Sequence, residues 1–96
     1  MRAEADAESF REIRGWASET DLFGALASAL QFPDYFGHNW DAVVDCLREV
    51  DGDVILLVHD AAGMWRDAPE LASMLVDVWL GAAEEADSKL ELVFVW

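Results

Sequence analysis

The run Val54-Ile55-Leu56-Leu57-Val58 carries no polar side chain and is bracketed by charge, Asp51-Gly52-Asp53 before it and His59-Asp60 after. It is too short for a stable helix, and Val54, Ile55 and Val58 are β-branched, so it reads as a strand. Because it is apolar at every position rather than every second one, it is expected to be covered on both faces, as in a parallel sheet with helices above and below. Such a strand belongs at or near the centre.

The flanking chain supplies partners for it. A first short strand is placed around Ser9 to Arg14, with Phe10 and Ile13 as its apolar points and Gly15 ending it. The stretch Leu90 to Trp96 alternates imperfectly and then becomes wholly apolar, which reads as a closing strand. Between them lie helical patterns. Thr20 is the expected N-cap of a helix with the stripe Leu22, Phe23, Leu26, Ala29 and Leu30, which Gly24 weakens by about 1 kcal/mol. Asn39 caps a second, with Trp40, Val43, Val44, Leu47 and Val50 on its apolar face. Asp67, Pro69 and Glu70 mark the start of a third, whose stripe is Leu71, Met74, Leu75, Val78 and Ala82, with Trp79 and Leu80 widening it towards an all-round apolar helix, which reads as deep burial rather than a second contact surface. His59 to Arg66 is short and broken by glycine, and is expected to form about one turn. Strands separated by more than hairpin distances imply right-handed crossovers. The expected fold is α/β: a three-stranded parallel sheet flanked by three to four helices, in a single domain over residues 1–96 with residues 1–8 frayed.

Composition narrows the function. A net charge of −14 would suit a disordered chain, but 54% hydrophobic residues, five of them tryptophan, require a packed core. The acidic surface repels RNA, DNA and anionic lipid and attracts basic partners. Cys46 is the only cysteine, so an intrachain disulfide, a zinc knuckle and a redox pair are excluded, and a reducing compartment is implied. Beside an apolar stripe it reads as a small core residue. No signal segment or membrane-length run is present, which points to the cytoplasm and away from membranes. The glycines are scattered and form no phosphate loop or dinucleotide fingerprint, so no cofactor is implied. His38 and His59 have no nucleophile at a recognised spacing, and the reading is not that of an enzyme. His38, Asp41 and Asp45 fall near one helical face, but a metal site ordinarily draws ligands from several elements, and none is assigned.

Asp41 and Asp45 stand four apart on the polar face of the second helix. The pair costs the helix roughly 0.2–0.5 kcal/mol, and the N-terminal dipole repays only Asp41. From spacing alone this is either the solvated face of an acidic protein, partly neutralised by Arg48, or a surface for binding cations.

The stretch Leu30 to Leu47 resembles the signature of the barstar family of intracellular ribonuclease inhibitors, carried by Pro33, Tyr35, Phe36, Gly37, Asn39, Asp41, Ala42, Asp45 and Leu47. The order of elements around it is similar across nearly the whole chain. The resemblance implies a one-to-one complex with a basic, secreted, barnase-like (guanyl-specific) ribonuclease, in which carboxylates take the places of RNA phosphates. It implies that Asp45 enters the catalytic pocket and Asp41 meets basic groups at its rim. Tyr35, Gly37 and Asn39 would shape the contacting loop, and Trp40, Val44, Arg48, Glu49 and Val78 would complete the surface. Departures bear on the target. Val44 stands where the family can carry a large aromatic, Arg48 and Glu49 where the helix end can be small and polar, and Gly81 where a carboxylate is sometimes found. The competing reading is an acidic adaptor for another basic protein.

Overall fold

A computed structural model describes residues 8–33, 37–50 and 52–96. Its elements are β1 (Glu8–Arg14), α1 (Glu19–Leu30), α2 (Trp40–Arg48), β2 (Asp53–His59), α3 (Ala61–Asp67), α4 (Pro69–Glu85) and β3 (Leu90–Phe94). The strands form one parallel sheet in the order β1-β2-β3, with Ile13 opposite Val58 and Leu90 opposite Val54. The apolar run is the central strand, as its composition requires.

Its two faces differ. Val54, Leu56 and Val58 are buried, whereas Ile55, Leu57 and His59 between them are only half-buried. Register places Ile13 and Leu90 on the first face, where they join the buried residues of all four helices in one core cluster. Phe10 and Val93 lie on the other face, 65% and 42% exposed. The expectation of helices above and below is therefore corrected to two layers. A run apolar at every position shows that neither face is polar, but the position of the helices is set by where the crossovers pass.

The helix starts also differ from expectation in instructive ways. Ser18, not Thr20, caps α1: its hydroxyl accepts the Asp21 N–H, and Glu19 and Asp21 complement the dipole of the first turn. Asp67 does not cap α4. It is the last residue of α3, and Arg66 donates to it from Nε at 3.0 Å and from a terminal nitrogen at 3.3 Å, which holds its carboxyl below the ordinary range. Pro69 is instead the first residue of α4, where its missing N–H costs nothing. The segment expected to make one turn makes two, as α3.

Packing rotates the expected stripe of α4. Leu71, Ala72, Leu75, Trp79 and Ala82 are buried, Val78 is half-buried, and Met74 and Leu80 are 44% and 57% exposed. Gly15 ends β1 for a reason of space: a Cβ there would lie 2.9 Å from the Met64 Cβ, while its N–H donates to the His59 carbonyl. The sheet is thereby fastened to α3. Among the described residues, no helix is long and apolar enough to cross a membrane.

Candidate partner-binding face

Two bonds of a single side chain build the start of α2. Asn39 Oδ1 accepts the Ala42 N–H at 2.8 Å, and Asn39 Nδ2 donates to the Gly37 carbonyl at 3.2 Å, so one amide ties the incoming loop to the first helical turn. The approach is close: a Cβ at Gly37 would lie 3.0 Å from Asn39 Nδ2. The left-handed residue of the turn is His38, with φ 51°. Asn39→Ala is expected to destabilise the protein by about 1 kcal/mol in urea unfolding, because it orphans a helix amide.

Trp40 fastens α2 to α1. Its indole N–H donates to Glu19 Oε2 at 2.9 Å, and its ring meets Phe23 edge-on with centroids 4.9 Å apart. This half-buried residue holds the face rather than lying fully upon it. Val43 and Leu47 are buried below, Val44 is half-buried at the margin, and Asp41 and Asp45 point into solvent. Tyr35 lies outside the described residues.

A cation on this face disfavours a basic partner unless a carboxylate neutralises it, and the cation here is Arg48. It spans two carboxylates, with Nε 3.1 Å from Glu85 and a terminal nitrogen 3.9 Å from Asp45. Since Arg48 ends α2 and Glu85 ends α4, the two helices finish together. A shallow depression of about 300 Å³ opens there, lined by Asp45, Arg48, Glu49 and Glu85. Glu85 is the residue that sequence reasoning missed. In the sequence it belongs to the polar stretch Ala83-Glu84-Glu85-Ala86-Asp87, and only the packing of α4 beside α2 joins it to Asp45. Val78 lies half-buried on the same helix, and Gly81 adds no side chain.

Cys46 lies partly buried beside this face and packs against the core. Burial raises its thiol pKa, and the Glu49 and Asp45 carboxylates raise it further. Cys46 is expected to react with an aromatic disulfide reagent at neutral pH more slowly than free cysteine, and to speed up as pH rises, because the thiolate is the nucleophile. A neutral-pH rate equal to that of free cysteine would contradict this environment. Among the described residues, no group of three His, Cys, Asp or Glu is arranged to hold a metal ion.

This face consists of outward carboxylates on a capped helix, braced by a second helix. The family model for barstar, described as barnase inhibitor, matches residues 9–95. The chain belongs to the barstar family. No curated protein matches the chain. Barstar-family members are inhibitors rather than enzymes, and the observed three-stranded parallel sheet with four helices is the fold that membership implies.

Proposed function

We propose that this protein inhibits a basic, secreted microbial ribonuclease of the barnase type by occupying its active site with the acidic face of α2. A ribonuclease must present arginine, lysine and histidine to RNA phosphates, and Asp45 and Asp41 offer those groups charge-assisted hydrogen bonds in place of phosphate. The observation that carries this reading is that both carboxylates stand exposed on one capped helix within a barstar-family fold. Asp45 is the central anion and Asp41 its neighbour at the rim. Gly37 and Asn39, with Tyr35, form the loop side of the contact, while Val44, Glu49 and Val78 border it. Trp40 holds the helix in place, and Arg48 with Glu85 sets the margin.

The remaining negative charge chiefly steers encounter, so the association rate should fall with added salt while dissociation changes little. The test is RNA cleavage by a panel of small secreted microbial ribonucleases, guanyl-specific ones included, titrated with the folded protein. Stoichiometric loss of cleavage for at least one enzyme is expected. Binding to a basic protein with RNA cleavage unaffected throughout the panel would favour an acidic adaptor instead.

A further inference from the structure

On the core side of β1, next to the loop that leaves α1, Arg11 lines a cavity of about 310 Å³. That volume is at the lower end of small-ligand sites. Arg14, Arg48, Arg66 and Lys89 each have a carboxylate partner. Arg11 has none among the described residues, and its Nε–H is shut off from solvent with no protein group to accept it. A guanidinium so placed lacks both full hydration and a counter-charge, although the chain carries 20 Asp and Glu.

The cavity wall also contains Glu49, which does not pair with Arg11, together with Gln31 and the apolar side chains of Leu30, Phe32 and Val54. One charge of each sign, neither ion-paired to the other, on the wall of a space of mixed polarity matches a small zwitterion. A simple anion is a poorer match, because it meets the field of a −14 protein and the nearby Glu49 with nothing to offset them. A zwitterion is neutral overall and is held by local charges, which act within the screening length of about 8 Å in physiological salt.

We propose that this cavity binds a free α-amino acid with an apolar side chain, its carboxylate on Arg11, its ammonium on Glu49 and its side chain against Leu30, Phe32 and Val54. The site is separate from ribonuclease binding in its chemistry and stands or falls independently of it. It nevertheless adjoins that face, since Glu49 borders both the cavity and the depression beside Asp45.

The test is a titration of the isotope-labelled protein with leucine, isobutyrate and inorganic phosphate, followed by amide chemical shifts. Saturable shifts with leucine around Phe32, Cys46 and Val54 are expected. Affinity should fall at least about tenfold in Arg11→Met, which keeps an unbranched stem against the core, and also in Glu49→Gln. Because Glu49 is exposed, the second variant probes the site without disturbing the core. No saturable response to leucine, an undiminished response in Arg11→Met or in Glu49→Gln, or binding of isobutyrate or phosphate without leucine would each overturn the proposal.

Discussion

Asp45→Ala is expected to weaken ribonuclease inhibition by at least about a hundredfold while leaving the fold intact. In the free protein the Asp45 side chain is 73% exposed and its contact with Arg48 is long, at 3.9 Å. Its removal therefore costs the monomer little, and it relieves a repulsion with Asp41 worth roughly 0.2–0.5 kcal/mol. In the complex the same carboxylate would face cations that have given up their water. Deleting one partner of such a buried pair costs about 3–5 kcal/mol, because the other charge stays behind without compensation. The loss should appear mainly as faster dissociation, and Asp41→Ala at the rim should cost less. Inhibition kinetics on both variants, beside urea unfolding, would check this. Unchanged inhibition by Asp45→Ala would remove α2 from the centre of the interface.

The second large effect is on stability. Trp79 is 1% exposed and sits in the core cluster with Leu75, Ala82 and the buried face of the sheet. Trp79→Ala is expected to cost about 3–5 kcal/mol through lost burial and the cavity left behind. That is a large part of the 5–15 kcal/mol typical of a domain, so the melting temperature should fall by well over 10 °C. Trp79→Phe should cost much less, near 1–2 kcal/mol, because it keeps an aromatic ring there and deletes an indole N–H that is buried without an acceptor. Chemical denaturation of the two variants separates these contributions. Equal losses would mean that the indole N–H contributes to stability.

The strands, the capped motif helix and the family signature were legible in the chain because each rests on local rules. A continuous apolar run with three β-branched residues marks β2, Asn39 offers a cap at the right offset, and four-residue spacing puts Asp41 and Asp45 on one face. The misplaced helix starts show the limits of those rules. Ser18 and Thr20 are both competent caps, and Asp67 looked like one until Arg66 engaged its carboxylate.

By itself, the sequence determined the number and order of the strands, the place of three of the helices, the centrality of β2 and the acidic character of the motif helix, since periodicity, capping and charge act between residues near in the chain. Only the tertiary structure decided that the helices cover one face of the sheet, that α4 leaves Met74 and Leu80 exposed, and that Arg48 and Glu85 brace Asp45. It also decided that Arg11 and Glu49 share a cavity. The physical reason is that these outcomes depend on how one element's side chains fill the space left by another, and residues such as Asp45 and Glu85, forty positions apart, are brought side by side only when the helices that carry them pack together.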